Sequence, residues 1–177
     1  DQNNTQYVPY PWPFYPLPTP ESTLIGQDIG PVLTQFISPI DLIDNNLKKI
    51  SLLQSSKFTK SSGVPTLVSF EQATQKIKPS RYNESSKNLG VLIEGEQSSL
   101  YTNRVKPFKL AEHLPKGSIK MVVFGDGNLA ENQIDKGTPL QLGYDKWTNN
   151  FYNNKSLLLN AFHYLSSNPE RLMIRQK

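Results

Sequence analysis

Two carboxylates, Glu94 and Asp126, occupy positions from which acid–base or metal chemistry could be built. Each follows an apolar run of the type expected for a buried strand, residues 91–93 before Glu94 and residues 121–124 before Asp126. In a parallel sheet the carboxyl ends of neighbouring strands share one edge, so the two side chains would converge. Converging carboxylates can transfer protons or hold a hard cation. Each also opens a turn, where such side chains commonly only accept hydrogen bonds from backbone amides.

Asp126 is the stronger candidate, because it lies in a Gly-Asp-Gly-Asn turn over residues 125–128. The flanking glycines permit backbone conformations closed to other residues, and Asn128 and Asn132 are near enough in sequence to donate hydrogen bonds to the carboxylate. We therefore predict that Asp126 chiefly accepts hydrogen bonds from its own turn, with metal or substrate binding as the lesser alternative. The turn lacks the alternating ligands and distal Glu of a calcium loop, so no metal site is predicted.

Other catalytic machinery is not visible in the sequence. There are no cysteines, which excludes thiol nucleophiles, disulfides and Cys-ligated metals. Neither a Gly-x-Ser-x-Gly elbow nor a phosphate-binding glycine loop occurs. We predict no catalytic residue and no cofactor. A degenerate or uncharacterised hydrolase that uses Glu94 and Asp126 at the strand ends is the alternative function.

The charge is distributed unevenly along the chain. Residues 1–47 contain five acids and no Lys or Arg, whereas all nineteen basic residues follow, for a net charge of +4. A basic half can contact nucleic acid or anionic lipid. The lysines are scattered singly and are not clustered with aromatic residues, which favours a solvated basic surface and predicts no nucleic-acid partner.

The apolar pattern predicts an α/β fold, with an open, mostly parallel sheet and flanking helices. One helix, over residues 154–166, is apolar around most of its circumference, so it should be buried on more than one side and pack on the strand at 121–124. Asn153 or Asn154 should cap it. The predicted strands are residues 48–53, 66–70, 88–94 and 121–124, with a possible last strand at 172–174.

An extended arm precedes this domain. Residues 7–20 hold six prolines and five aromatic residues, so they cannot form a helix or a central strand. Five large aromatic residues left in water would form an unusual exposed patch, so we expect Trp12, Phe14 and Tyr15 to be buried against their own protein or a missing preceding domain. The alternative is that they bind an aromatic-lined groove on a partner. We divide the chain into an arm, residues 1–40, and an α/β domain, residues 41–177.

Several spaced segments together resemble one family, the gliding-motility-associated ABC transporter auxiliary proteins of Bacteroidetes, of the GldG type. The segments are Pro11-Trp12-Pro13-Phe14-Tyr15-Pro16, Val91-Leu92-Ile93-Glu94-Gly95-Glu96 with Ser99-Leu100-Tyr101-Thr102-Asn103-Arg104, Val123-Phe124-Gly125-Asp126-Gly127-Asn128 with Asn132, and Leu142-Gly143-Tyr144-Asp145 leading to Asn154 and Asn160-Ala161-Phe162-His163-Tyr164-Leu165. Arg104 joins the candidate site residues through this match.

The resemblance implies a membrane-anchored protein whose extracytoplasmic region is Rossmann-like or glutamine-amidotransferase-like. This chain would be the later portion of that region, at the periplasmic face of the inner membrane and attached to it through a segment outside the chain. The implied partners are an ABC permease subunit and, through it, a cytoplasmic ATPase, in a machine for gliding or protein secretion. The predicted function is non-catalytic binding and coupling in that complex.

Overall fold

A three-stranded antiparallel sheet lies at the centre of the structure, a computed structural model that describes residues 12–109 and 112–166. Its strands are β1 Lys48–Gln54, β2 Asn88–Ser98 and β3 Lys116–Phe124, in the order β1-β2-β3. Each contains a run of Leu, Ile or Val that packs well on a pleated surface. The runs predicted at 48–53, 88–94 and 121–124 are therefore confirmed as strands.

Short elements surround this sheet. A four-residue helix, α1, and a 3-10 turn precede β2, another 3-10 turn follows β3, and two small hairpins lead into the main helix, α2. Their bounds are α1 Glu71–Thr74, the 3-10 turns Pro79–Arg81 and Asn128–Ala130, β4 Ile134–Asp135 with β5 Thr138–Pro139, β6 Tyr144–Asp145 with β7 Asn150–Phe151, and α2 Asn154–Leu165.

The predicted α/β fold with a mostly parallel sheet is wrong, since every strand pair within the described residues is antiparallel. A parallel neighbour needs a crossover of a dozen or more residues, usually a helix. The link from β1 to β2 holds only α1 and one 3-10 turn, and the described part of the link from β2 to β3 holds no helix. Residues 66–70, predicted as a strand, form a loop and a turn that lead into α1. The possible strand at 172–174 lies outside the described residues.

Burial is uneven along the sheet. Residues 89–92 of β2 are buried, whereas residues 96–98 of β2 and 116–118 of β3 are exposed. The register explains this, because β1 pairs with β2 only as far as Lys48↔Glu94, while β2 and β3 stay paired to Ser98↔Lys116. Residues 95–98 and 116–119 thus form a two-stranded projection about 13 Å long, at about 3.3 Å per residue, which we call the finger.

The core is formed jointly by the N-terminal segment, the covered end of the sheet, and α2. Its buried members are Ile25, Ile29, Val32, Leu52, Leu53, Leu89, Leu92, Leu129, Leu157 and Ala161. Half-buried side chains of β3, Val122 and Phe124, pack against it, and α2 contacts β3 directly. The predicted contact between this helix and the strand at 121–124 is confirmed.

Helix α2 is buried on one side rather than on several, so that part of the prediction is wrong. Its buried residues are Asn154, Leu157 and Ala161, whereas Phe162 is 65% exposed. A three-stranded sheet offers the helix one surface, and apolar residues on its far side remain in solvent. Within the described residues, no helix combines the length and apolar character needed to cross a bilayer.

Candidate functional site

Asp126 accepts two backbone hydrogen bonds, one on each carboxylate oxygen. Its Oδ1 lies 2.8 Å from the amide nitrogen of Asn128, and its Oδ2 lies 2.7 Å from the amide nitrogen of Gln35. The first bond confirms the predicted contact within the turn. The second joins the turn to a segment far away in the sequence. Asp126 is only 9% exposed, so both carboxylate oxygens are hydrogen-bonded to backbone amides in a largely buried site.

Gly125 lets the chain approach this turn closely. Its carbonyl accepts a hydrogen bond from the amide of Ser38 at 2.9 Å, and its own amide donates to the carbonyl of Leu89 at 2.9 Å. A Cβ at position 125 would lie 2.0 Å from the Ser38 carbonyl oxygen. The glycine is therefore required by close backbone packing between the turn and the N-terminal segment.

Asn154, the first residue of α2, binds the same N-terminal segment. Its Oδ1 accepts a hydrogen bond from the Leu33 amide at 2.9 Å, and its Nδ2 donates to the Leu33 carbonyl at 2.8 Å and to the Leu129 carbonyl at 3.2 Å. The side-chain amide thus pairs with a peptide unit as a neighbouring strand would. Its side-chain oxygen and both side-chain amide protons are thus hydrogen-bonded in a site that is 3% exposed.

The predicted side-chain cap of α2 is not formed. Asn153 occupies the N-cap position, but its side chain makes no capping hydrogen bond. Its backbone amide and its Nδ2 both donate to the carbonyl of Pro31, at 3.0 and 3.3 Å. Both asparagines therefore bind the N-terminal segment in place of the helix terminus.

The Pro-rich arm lies along the opposite edge of that segment. Three of its carbonyls accept hydrogen bonds at intervals of two residues, and the pairing runs antiparallel. The bonds are Phe36 N to Phe14 O at 2.8 Å, Thr34 Oγ1 to Pro16 O at 2.7 Å and Val32 N to Pro18 O at 3.0 Å. Pro16 and Pro18 have no N–H, so at these two positions the arm can supply only acceptors.

Residues 31–36 are thus held on both edges, and we call this arrangement the clasp. Odd-numbered residues bind Asn153, Asn154 and Asp126, and even-numbered residues bind the arm. Val32 and Thr34 are completely buried. The clasp joins the arm, the turn after β3 and the start of α2 into one unit.

Aromatic rings cover one end of the clasp. Trp12 lies 5.3 Å from Phe14 and 5.9 Å from Phe70, measured between ring centroids. Phe14 and Tyr15 lie 5.6 and 5.3 Å from Phe36. The described part of the arm therefore docks on its own chain, although Tyr15, Phe36 and Phe70 remain exposed. A partner-binding role for Trp12, Phe14 and Tyr15 stays a prediction.

Glu94 lies away from Asp126, because antiparallel strands place their carboxyl ends at opposite edges. Glu94 pairs with Lys120 in the register, and Asp126 lies six residues further along, roughly 20 Å at the rise of a strand. The Glu94 Oε1 instead accepts a hydrogen bond from the Tyr164 hydroxyl at 2.7 Å. Burial, together with this carboxylate, raises the pKa of Tyr164. Glu94 thereby ties the end of α2 to the sheet.

The remaining predicted residues do not gather around Asp126. The Asn128 Nδ2 donates to Gln35 Oε1 at 3.5 Å, and the Asn132 Nδ2 donates to the Leu140 carbonyl at 2.6 Å. Asn128 therefore donates to Asp126 as predicted, but through its backbone amide. The predicted hydrogen bond from Asn132 to Asp126 is not formed, because the Asn132 side chain binds Leu140. Arg104 is exposed in the loop between β2 and β3. Only Asp126 and Asn128 share a site.

Comparison with known proteins gives the family. Residues 1–161 match the model of a family of auxiliary proteins described as an ABC-type uncharacterized transport system. The chain belongs to this family. No match is found among curated proteins or among solved structures. The residues of the clasp all lie within the matched range, so this ABC-transport auxiliary chain carries the clasp inside its family region.

Sequence reasoning missed two further polar clusters of the auxiliary chain. Asp145 accepts hydrogen bonds from Thr148 Oγ1 at 2.6 Å and Gln133 Nε2 at 3.0 Å. Burial acts to raise the pKa of Asp145, but these bonds and nearby backbone amides outweigh it and lower the pKa. The Asp-x-x-Thr spacing at 145–148 is a local turn signal that could have indicated this cluster.

Glu84 forms the second cluster, in the link between β1 and β2. Its carboxylate accepts hydrogen bonds from the amide and the hydroxyl of Ser61, at 2.8 and 2.7 Å, and lies 3.3 Å from Lys87 Nζ. The Ser61 amide, then its hydroxyl, then Lys87 lower the pKa of Glu84 to about 2. Across residues 12–109 and 112–166, no group of three or more His, Asp or Glu is arranged to hold a metal ion.

Proposed function

We propose that this chain is a non-catalytic binding and coupling module of an ABC-type transport complex, at the periplasmic face of the inner membrane. Its family membership associates it with an ABC-type transport system. The resemblance of its spaced motifs to the gliding-motility-associated auxiliary proteins supports a machine for gliding or protein secretion. The proposed partners are the permease subunit and, through it, the cytoplasmic ATPase, with membrane attachment through a segment outside this chain.

The non-catalytic proposal rests on the hydrogen bonding of the Asp126 carboxylate. Each of its oxygens accepts a backbone amide, at 2.8 and 2.7 Å, so the carboxylate has a structural use in the clasp. A general base needs a carboxylate directed at the substrate within hydrogen-bonding reach. The hydrolase alternative requires Glu94 as a second acid beside Asp126. Glu94 instead accepts a hydrogen bond from Tyr164, at a position on the sheet that is distant from Asp126. No contact in the described chain favours that alternative.

The clasp supports a coupling role. It connects three parts of the chain that are distant in sequence: the aromatic arm, the turn after β3 and the start of α2. A displacement of the arm by a partner would therefore act on β3 and α2 together. The exposed rings at the arm end are the surface that we propose for that partner.

The proposal is tested by affinity purification of the full-length protein from solubilised membranes, with mass spectrometry of the co-purifying chains. We expect a permease and an ATPase to be enriched over an unrelated tagged membrane protein. The Asp126→Asn variant should still co-purify with these partners, because Asp126 is buried in the chain's own fold and is not on a surface that a partner would contact. Recovery of no transport component would contradict the proposed function.

A second assay addresses catalysis. The 177-residue chain is titrated with Ca²⁺, Mg²⁺ and Zn²⁺ by calorimetry and is incubated with generic ester, amide and glycoside substrates. We expect neither binding nor turnover. Turnover or metal binding that Asp126→Asn abolished, while the melting temperature stayed unchanged, would show Asp126 to be a functional carboxylate.

A further inference from the structure

The tip of the finger exposes a group of apolar side chains to solvent. This tip comprises residues 99–109 and 112–115, between β2 and β3. Four of its large apolar residues are between 60% and 96% exposed: Leu100, Val105, Phe108 and Leu114. Exposed apolar groups of this kind mark interaction sites more often than isolated surface leucines do.

Basic side chains lie among these apolar residues. Arg104, Lys106 and Lys109 are exposed, and none is in ion-pair contact with an acid of the described chain. Lys116, at the base of the tip, is already paired with Glu96 at 3.2 Å. Glu112 is the one acid among the described tip residues. The tip is therefore both apolar and positively charged.

The fold keeps this tip away from the rest of the protein. Both strands of the finger are exposed at residues 96–98 and 116–118, since β1 ends its pairing at Glu94 and the core lies at the other end of the sheet. The clasp likewise lies at that covered end, where Gly125 meets Ser38. The apolar tip residues project about 13 Å, the length of the finger, beyond the last pairing with β1.

We propose that the tip of the finger binds the surface of an anionic phospholipid bilayer. Apolar side chains insert at the boundary of headgroups and acyl chains, and basic side chains bind the phosphates of anionic lipid. The charge of the tip is complementary to such a surface. A nucleic acid would also attract the cations, but it would leave the aliphatic side chains of Leu100, Val105 and Leu114 without a contact.

A second basic loop provides an internal control. The link between β1 and β2, residues 55–87, joins the opposite end of the sheet and also carries exposed lysines, among them Lys57, Lys60 and Lys76. Neutralising these three residues changes the net charge by as much as neutralising Arg104, Lys106 and Lys109. A difference in vesicle binding between the two triple variants therefore reflects where the basic residues lie and not the total charge of the protein.

The test is co-sedimentation of the 177-residue chain with vesicles of phosphatidylcholine, with and without phosphatidylglycerol, at low and high salt. We expect binding that requires phosphatidylglycerol and weakens with salt. Each basic residue near such a surface contributes about fivefold to binding, so Arg104→Gln, Lys106→Gln and Lys109→Gln together should weaken it about a hundredfold. Lys57→Gln, Lys60→Gln and Lys76→Gln together should leave it nearly unchanged.

The apolar contribution is tested separately with Phe108→Ala and Leu114→Ala, which keep every charge. Together they should weaken binding by about tenfold or more, and thermal melting should stay unchanged because both side chains are exposed. The proposal is overturned by equal binding to neutral vesicles, by equal losses in the two triple variants, or by full binding of the apolar variant. The vesicles contain no permease, so this outcome is independent of the proposed transport function.

Discussion

The side-chain amide of Asn154 and the backbone of Leu33 form a closed pair of hydrogen bonds, at 2.9 and 2.8 Å, across 121 residues of sequence. The asparagine side chain forms the two hydrogen bonds that the backbone of a neighbouring strand would form, because its amide group has one acceptor and one donor with the spacing of a peptide group. The second proton on its Nδ2 binds the Leu129 carbonyl at 3.2 Å. One residue thus connects α2, the N-terminal segment and the 3-10 turn after β3.

Replacing Asn154 by alanine should strongly destabilise the fold. The change removes three hydrogen bonds and leaves the Leu33 amide and two carbonyls unpaired in a buried site. Each unsatisfied buried group costs about 1–3 kcal/mol, so we expect the free energy of unfolding to fall by about 3 kcal/mol or more. Urea denaturation followed by circular dichroism measures this loss.

The matched control is Asn132→Ala. Asn132 is exposed and donates a single hydrogen bond, to the Leu140 carbonyl, so its loss should cost about 1 kcal/mol or less. Similar losses in the two variants would mean that the pair between Asn154 and Leu33 adds nothing to ordinary surface hydrogen bonding.

The clasp could be predicted only in part from the sequence. Glycines around Asp126 indicated a turn whose amides bind the carboxylate, and the contact with Asn128 has that form. The contact with Gln35 joins residues 91 positions apart, and no local pattern encodes such a pairing. Asn154 looked like a helix cap because asparagine is favoured there. Its tertiary partner, the Leu33 peptide, provides more hydrogen bonds than the helix end would.

The two glycines that flank Asp126 should respond oppositely to alanine. A Cβ at Gly125 would lie 2.0 Å from the Ser38 carbonyl oxygen, whereas nothing lies within 4 Å of one at Gly127. Gly125→Ala must displace backbone, and we expect a cost of about 3 kcal/mol, at the upper end for overpacking. Gly127 has a φ of −72°, which alanine adopts freely, so Gly127→Ala should stabilise by about 0.4–1 kcal/mol.

Chemical denaturation of the two variants in parallel measures both changes, and each serves as the control for the other. If Gly125→Ala were neutral, the close approach of Ser38 to the turn would not exist in solution. If Gly127→Ala were as costly as Gly125→Ala, the turn would need glycine at both positions for another reason.

Within α2, truncation at Leu157 and at Phe162 should differ widely. Leu157 is completely buried in the core, so Leu157→Ala should cost about 2–5 kcal/mol. Phe162 is 65% exposed, and Phe162→Ala should change stability by about 0.5–1 kcal/mol. Thermal and urea melts of both variants distinguish the positions. Equal losses would place Phe162 in a contact that this arrangement of the helix does not contain.

The strands and the main helix could be predicted from apolar runs, but their arrangement could not. Residues 91–93 form a continuous apolar run, which is typical of a strand buried in a parallel sheet. Here the run is apolar because it lies at the covered end of a long strand whose other end projects as the finger. The better signal was the lack of a helical pattern between 55 and 87, since an antiparallel neighbour needs no crossover helix.

Glu84 should titrate far below an ordinary glutamate. The Ser61 amide, the Ser61 hydroxyl and Lys87 all favour its ionised form and hold its pKa at about 2, against an ordinary value of 4.5. A carboxyl whose pKa is lower when folded contributes stability above its unfolded pKa, and that contribution is lost as the pH falls through the folded value. Its share of acid destabilisation therefore lies between about pH 4.5 and about pH 2.

Carbon-detected NMR titration of the Glu84 carboxyl measures this pKa directly. In Ser61→Ala the backbone amide still donates but the hydroxyl is gone, so the pKa should rise part of the way towards 4.5. Glu84→Gln should flatten the dependence of stability on pH in the same window. A Glu84 carboxyl that titrated near 4.5 in the unmodified chain would show that Ser61 and Lys87 do not hold it in solution.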